Sequence, residues 1–171
     1  LPPIVRDCGL GIGYHWAQNA GPVHGVRIAA EAAAKLNLPE AEALSAAGLD
    51  FQRAFDQVKA RAVQLDPDGM LPSFPGATGA QRTRPCWGVV MSLTAFDAFP
   101  ADDPAALKTL RFLQRNLSEG LHLHLGYSPG VWPYMSAEVA LWHLRLGETE
   151  EAWRILRAIV DRASSTVCWY E

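Results

Sequence analysis

The chain has 171 residues, of which 49% are hydrophobic and 19% are charged, and its formal net charge is −3. This length suits one domain with a substantial core, and the slightly acidic balance, without any run of Lys or Arg, argues against nucleic acid as a partner. No apolar stretch reaches the roughly 18 to 20 residues that a membrane-spanning helix needs. The sequence therefore predicts a globular protein that binds neither nucleic acid nor a membrane.

The cysteines are Cys8, Cys86 and Cys168, an odd number, widely separated and without a Cys-x-x-Cys pair. This pattern favours buried thiols over a disulfide framework, and it favours a reducing compartment such as the cytoplasm. The chain begins at Leu1, without a Met or a charged and then apolar leader. We therefore expect it to be part of a longer protein.

The first predicted hairpin covers about residues 22–64. Residues 1–21 hold four glycines and two prolines without a steady period, which predicts a loop. From Pro22 the chain shows a small-residue helical pattern. Pro39 interrupts this pattern and is suited to start the next helix, which we expect to end near Leu65.

The second predicted hairpin covers about residues 85–118 and follows a long loop over 65–84, rich in proline and glycine. A loop of this length inside a compact domain is usually functional or disordered. A mostly apolar helix comes first, and Asp102 or Asp103 caps an amphipathic one whose first turn contains Pro104.

The third predicted hairpin covers about residues 131–163 and turns at Gly147. Its first helix is apolar nearly all round, so we expect it to be buried on both sides, whereas the second helix has a single apolar face. Trp142, Trp153 and His143 lie inside these helices and are assigned to the core. The third hairpin thus has an inner helix followed by an outer one.

The three hairpins repeat one architecture: apolar helix, tight turn, amphipathic helix, long loop. Their entrances place His24, Trp87 and Trp132 at matching positions. Such units bury their apolar faces against their neighbours in a curved array. The long loops then share one end of the array, called here the loop face, which holds residues 1–21, 65–84, 118–131 and 164–171 and is where we expect the chemistry.

The segment from Gly130 to Glu171 resembles hairpins of the (α/α)6-toroid, or six-hairpin, glycosidases, in which an aromatic-led inner helix, a Leu-Gly turn and an Ala-rich outer helix lead into a loop with Trp and Glu. Over the rest of the chain the resemblance is architectural. It implies an all-α fold, with residues 1–171 as a single domain or fragment whose three consecutive hairpins form part of an (α/α) toroid. It also implies that the remainder of its own toroid, or a second copy, completes the ring.

The tail 165–171 is similar to the loop that carries the general-base Glu beside a sugar-stacking Trp in inverting α-L-rhamnosidases and related toroid enzymes. The resemblance implies that Glu171 activates water and that Trp169 contacts sugar. The family often places Glu directly after Trp, whereas Tyr170 intervenes here.

Inverting hydrolysis needs a second carboxyl group about 6.5 to 9.5 Å away to protonate the leaving oxygen. The loop face offers Asp7, Asp68 and Glu119, and spacing singles out none of them. Asp68 lies in Asp-Pro-Asp-Gly, a sequence equally typical of a turn. The acid therefore stays open among these candidates.

Five aromatic residues lie at the loop-face entrances of the helices, where flat rings can cover the apolar faces of sugars. They are Trp87, Trp132, Tyr134, Trp169 and Tyr170. Each ring alone equally suits packing of a helix start, but together they favour a carbohydrate-binding surface.

A zinc site is the alternative chemistry on this face. His122 and His124 point the same way if their segment is extended, and His24 or Cys86 is a possible third ligand. The helix starts around His24 and Cys86 are similar to motifs of lanthionine-cyclase-like toroids, which use zinc, but Cys86 precedes Trp87 and no Cys-His pair follows. We therefore predict neither a metal nor a cofactor.

The sequence as a whole predicts a carbohydrate-active, glycoside hydrolase-like domain with an inverting mechanism, or a fragment of one. The alternative is a non-catalytic helical-repeat module that binds a glycan or a protein. An exposed apolar edge on the last hairpin favours the toroid fragment, and a polar capping helix there favours the self-contained module.

Overall fold

A computed structural model describes residues 4–5, 12–13, 15–83, 86–124 and 130–163. Within these residues the fold is all-α, as predicted, and its helices form three consecutive hairpins. The helices are α1 (Trp16–Lys35), α2 (Ala41–Leu65), α3 (Trp87–Thr94), α4 (Pro104–Arg115), α5 (Pro133–Arg145) and α6 (Thr149–Asp161). None of the described helices combines the length and apolar character that crossing a membrane requires.

Short β-strands occupy two of the segments predicted as loops. Near the N-terminus, β1 (Ile4–Val5) pairs antiparallel with β2 (Ile12–Gly13). Between α4 and α5 a three-stranded antiparallel sheet places its longest strand in the middle; it consists of β3 (Leu117–Ser118), β4 (Leu121–His124) and β5 (Gly130–Val131). Strands of two to four residues are too short to give a clear alternating pattern, so the sequence did not reveal them.

The first helix begins earlier than predicted, at Trp16 instead of near Pro22. Pro22 lies inside the helix, where its missing N–H leaves one backbone carbonyl without its helical donor. Trp16, Ala20 and Val23 are buried and recur at helical spacing. The glycines and aromatic residues around this segment made that spacing hard to recognise in the sequence.

Two predicted helix boundaries are confirmed. The Asp103 carboxylate caps α4, because its Oδ1 accepts from the backbone N–H groups of Ala105 and Ala106 at 3.0 and 3.1 Å, with Pro104 as the first helical residue. Gly147 lies in the turn between α5 and α6 with a φ of +77°, a left-handed conformation that glycine adopts without strain.

The first helices of the hairpins form an inner row, in which α1 packs against α3 and α3 packs against α5. Val89, Val90 and Leu93 of α3 are fully buried, as expected for an inner helix. The starts of α1 and α3 lie together, since Gly88 faces Trp16, and the ends of α3 and α5 lie together, since Arg145 donates to Leu93 O and Thr94 O. The three inner helices therefore run in the same direction.

The third hairpin departs from the prediction on its outer edge. The inner helix α5 was expected to be buried all round, but Leu141 and Leu144 are 40% and 46% exposed. On α6, Trp153 is 66% exposed and Val160 is 67% exposed. These four exposed residues of the third hairpin are called here the outer edge.

Of the two tryptophans assigned to the core, one is buried and the other is exposed. Trp142 is fully buried and its indole Nε1–H donates to Ala101 O at 2.9 Å, which confirms its assignment. The assignment of Trp153 to the core was wrong. It lies on the outer edge. Helical periodicity shows that Trp153 shares an apolar face, but it does not show whether a neighbouring helix covers that face.

Candidate functional site

The start of α1, the loop after α2 and the start of α3 meet at the loop face. The indole Nε1–H of Trp16 donates to Pro72 O at 2.8 Å. A Cβ atom placed on Gly88 would lie 3.6 Å from both Ser73 O and Trp16 Cβ, so these segments are in direct contact. The predicted loop-face segments 1–21 and 65–84 are therefore both in contact with the start of α3.

Arg82 holds the two aspartates of the loop after α2. Its Nε and Nη2 donate to the Asp66 carboxylate at 2.7 and 2.8 Å, and Nη2 also lies 2.6 Å from Asp68 Oδ2. The backbone N–H groups of Asp68 and Met70 donate to Asp66 Oδ1 as well. Burial alone raises the pKa of Asp66, but the hydrogen bond from Arg82 and the two N–H groups outweigh it and lower the pKa.

Asp66 is therefore a turn-forming residue, and Asp68 is its exposed neighbour. The Asp68 side chain is 68% exposed and paired with Arg82, and its backbone carbonyl accepts from Lys108 Nζ at 3.0 Å. The catalytic role predicted for Asp68 remains a prediction. Glu119, also considered as the acid, pairs with Arg162 through a contact of 2.8 Å to Nε.

The Glu119–Arg162 pair also locates the end of α6. Because Arg162 directly follows α6 and Glu119 lies in the turn between β3 and β4, the end of the last hairpin lies beside the loop face. The predicted site residues Asp7, Trp169, Tyr170 and Glu171 lie outside the described residues.

The entrances of α3 and α5 are joined through aromatic and sulfur contacts. The rings of Trp132 and Tyr134 have centroids 6.4 Å apart and are inclined by 51°. The hydroxyl of Tyr134 donates to Met91 Sδ at 3.1 Å, and Met91 lies one helical turn after Trp87 on the same side of α3. The structure thus brings Trp132 and Tyr134 together and links them to the helix that begins with Trp87.

This aromatic set is partly accessible. Trp87 and Trp132 are half-buried, and Tyr134 is 45% exposed. The sequence predicted the three rings but not Met91, although its spacing of four residues from Trp87 places both on one side of a helix.

A buried serine, Ser136, ties the entrance of α5 to the central strand β4. Its Oγ accepts from the backbone N–H of His122 at 2.9 Å and donates to Trp132 O at 2.9 Å. The N–H of Trp132 donates to His122 O at 2.8 Å. Sequence reasoning missed Ser136, although a serine on an otherwise apolar helix face was a signal that a buried hydrogen bond was needed.

In the described part of the chain, no cluster of three or more His, Cys, Asp or Glu side chains is arranged to hold a metal. The alternative zinc site therefore has no ligand set among these residues. His122 is 1% exposed, and burial, followed by the charges of His143 and Arg154, lowers its pKa to about 4. Burial raises the pKa of the Cys86 thiol to about 12. The side chain of His124 lies outside the described residues.

His143 is a buried core histidine with partners, as the sequence indicated. It is fully buried, its Nδ1 lies 2.6 Å from Glu148 Oε2, and its Nε2 lies 3.4 Å from Gln114 Nε2.

The described cavities lie away from the aromatic entrances. A cavity of about 750 Å³ is at the opposite end of the array, between the tip of the first hairpin, the α3–α4 turn and Arg145. A second, of about 480 Å³, lies beside Leu65, Pro75 and Gly76. The lining of neither cavity includes Trp87, Trp132 or Tyr134.

Comparison with known proteins gives structural matches only. Neither a family model nor a curated protein sequence matches the chain. Among solved structures, a glycosidase variant superposes with a TM-score of 0.71 and 21% identity, covering 95% of this chain and 43% of its own. A wild-type glycosidase gives 0.66 and 22%, covering 88% of this chain and 39% of its own. A glycosidase variant in complex with glucose gives 0.65 and 21%, covering 89% and 39%.

The resemblance that the sequence indicated is confirmed at the level of fold. The chain spans about two fifths of the length of the glycosidases that it matches. It has the all-α fold of part of a glycosidase, and it resembles those enzymes over nearly all of its own length.

Proposed function

We propose that this chain is a glycoside hydrolase-like domain, or part of one, that binds carbohydrate at its loop face. The observation that carries the proposal is the glycosidase fold, which covers 88% to 95% of this chain in the solved structures compared. One of those glycosidases is in complex with glucose, which makes a glucose-containing glycoside the first ligand to test.

We also propose that the three hairpins belong to an (α/α) toroid within a single domain. The outer edge of the third hairpin is apolar, with Leu141, Leu144, Trp153 and Val160 exposed, whereas a self-contained module was expected to have a polar cap there. Further hairpins of the same toroid are the occupant that fits, because the matched glycosidases continue well beyond the part that matches. A second copy of this chain is the alternative occupant.

Three rings of the described structure, those of Trp87, Trp132 and Tyr134, form the proposed sugar-binding surface. Two of them are in ring contact, and Tyr134 is linked to α3 through Met91. Partly exposed rings at neighbouring helix entrances offer apolar faces to a sugar while their polar edges keep hydrogen bonds. Trp169 and Tyr170 extend this surface in the proposal.

For catalysis we propose an inverting reaction. Glu171 acts as the base that activates water, and Asp7 or Asp68 acts as the acid that protonates the leaving oxygen. The support from the described residues is that α6 ends beside the loop face, next to Glu119, so the tail that carries Glu171 starts there.

A non-catalytic glycan- or protein-binding module is the second candidate. The observation that favours it is the partial exposure of the aromatic set, with Tyr134 45% exposed, because exposed rings can cover a sugar without any catalytic carboxyl group.

The test combines a binding and a hydrolysis assay on the 171-residue chain. Calorimetric titration with glucose and short glucosides should show binding that Tyr134→Ala weakens and that Trp153→Ala, an exposed control, leaves unchanged. In the hydrolysis assay, proton NMR should show a first product of inverted anomeric configuration, and Glu171→Gln should abolish turnover while Glu148→Gln should not.

The outcomes separate the two candidates. Binding without hydrolysis contradicts catalysis by this chain alone and is the result expected of the non-catalytic module or of a toroid fragment, whereas neither binding nor hydrolysis contradicts both carbohydrate proposals.

A further inference from the structure

A closed set of hydrogen bonds fixes the backbone N–H and C=O groups of Trp132. The N–H of Trp132 donates to His122 O at 2.8 Å. Its C=O accepts from the Ser136 hydroxyl at 2.9 Å and from the Ser136 N–H at 3.0 Å. Ser136 Oγ in turn accepts from the N–H of His122, so the three residues form a ring of hydrogen bonds.

This arrangement replaces an ordinary helix cap. Trp132 occupies the N-cap position of α5 but has no side-chain cap hydrogen bond, and Pro133 has no N–H to offer. The entrance of α5 is held instead by a side chain within the helix, Ser136, which reaches back to Trp132 and across to β4.

The protons in this set are assigned by the partners. The Ser136 hydroxyl has one hydrogen, which Trp132 O receives, so Oγ can only accept from His122. His122 Nδ1 lies 3.4 Å from the same oxygen, which makes Nδ1 the donor if that longer contact forms a hydrogen bond. Both Ser136 and His122 are buried, at 0% and 1% exposure, so water does not compete for these bonds.

From this geometry we infer that Ser136 is a positioning residue for sugar binding: it holds the Trp132 ring in the orientation that a carbohydrate meets. The inference rests on the proposed function. Ser136 is buried below the ring and acts through the backbone of Trp132, without touching the sugar. A ring that is already ordered binds more tightly, because the ligand does not have to compensate for the entropy of ordering it.

The experiment compares Ser136→Ala, Ser136→Thr and Trp132→Ala with the unmodified chain, using glucose and a short glucoside as probes. Affinity is measured by NMR titration, and folding is checked for each variant by circular dichroism and denaturant unfolding. Ser136→Ala should weaken binding by about fivefold, the equivalent of ordering one side chain on binding. Ser136→Thr, which keeps the hydroxyl, should restore affinity, and Trp132→Ala should weaken binding by at least about tenfold.

A purely structural role for Ser136 predicts a different result: the alanine variant would be less stable but would bind sugar with unchanged affinity. If that is observed while Trp132→Ala weakens binding, the positioning inference is overturned and the proposed function stands. If Trp132→Ala also leaves affinity unchanged, the sugar-binding role of this ring fails, and the inference fails with it.

Ser136→Cys provides a second variant in case Ser136→Ala does not fold. It keeps the side-chain volume but is a weaker donor and acceptor. We expect it to bind with an affinity between those of the alanine and unmodified chains, and unmodified affinity in this folded variant would overturn the inference.

Discussion

The Asp66 carboxylate and the Arg82 guanidinium form a two-point ion pair, with Nε to Oδ2 at 2.7 Å and Nη2 to Oδ1 at 2.8 Å. This ion pair joins the start of the loop after α2, at Asp66, to its end, at Arg82. A segment rich in proline and glycine is thereby held in place, and its residues Pro72 and Ser73 lie against Trp16 and Gly88 at the entrances of α1 and α3.

We expect Asp66→Asn to lower the free energy of unfolding by about 2 to 3 kcal/mol, because the change removes the buried two-point charge partner of Arg82 and leaves it only the exposed Asp68. Asp68→Asn is the matched control. Its carboxylate also contacts Arg82 but is 68% exposed, so the expected loss is below about 1 kcal/mol. Urea unfolding of both variants measures the difference, and equal losses would contradict the assigned roles.

The stability of the chain should fall as the pH is lowered from neutral to 5. His122 has a folded-state pKa lowered to about 4, mainly by burial, against an ordinary value of 6.5. Between pH 6.5 and 4 the His122 side chain is protonated in the unfolded chain but not in the folded chain, so acid favours unfolding. The contribution of His122 to the free energy of unfolding is fully present above pH 6.5 and is lost as the pH falls towards 4. The expected loss from His122 is about 2 kcal/mol between pH 7.5 and 5.

Urea unfolding at several pH values, with His122→Asn as the comparison, measures this contribution. Because the carboxylates of Asp66, Asp103 and Glu151 have lowered pKa values, their contribution is lost at lower pH, below about 4. Parallel pH profiles for the variant and the unmodified chain would show that His122 is not responsible.

The two tryptophans of the third hairpin should differ sharply in their effect on stability. Trp142→Ala removes a fully buried ring and its hydrogen bond to Ala101 O, and we expect a loss of about 3 to 5 kcal/mol. Trp153→Ala changes a residue that is 66% exposed, so its effect should stay within about 0.5 kcal/mol. Thermal unfolding of both variants distinguishes them, and a large loss for Trp153→Ala would mean that its face is covered in solution.

The cap of α4 provides a fourth test. Asp103 accepts two backbone N–H groups and also pairs with Lys59 Nζ at 2.6 Å. We expect Asp103→Ala to cost about 1 to 2 kcal/mol, because the change removes both the cap and the partly buried ion pair with Lys59. Asp102→Ala, at the exposed neighbouring position, should be near neutral. If the two alanine variants unfold at the same urea concentration, the cap has been assigned to the wrong aspartate.

The sequence predicted those features that local chemistry determines. Asp103 with Pro104 marks a helix start and Gly147 marks a turn, because capping and left-handed backbone depend on a few neighbouring residues. The alternation of apolar and amphipathic helices also predicted the inner row of α1, α3 and α5.

Features that depend on distant neighbours were not predicted. Trp153 belongs to an apolar stripe, but only the arrangement of the hairpins decides whether that stripe is covered. Ser136, on an apolar helix face, signalled that a buried hydrogen bond was needed, but the local pattern did not show that its partner lies on β4. Short strands such as β3 and β5 form because they pair with β4, rather than because their own residues show a pattern.

The central claim is that the aromatic entrances of the loop face bind carbohydrate, and an NMR titration with glucose that follows the indole N–H signals tests it most directly. The account predicts that the signals of Trp87 and Trp132 shift with saturation, while those of the buried Trp16 and Trp142 and the exposed Trp153 do not. Unchanged Trp87 and Trp132 signals at saturating sugar, or shifts confined to Trp153, would contradict the claim.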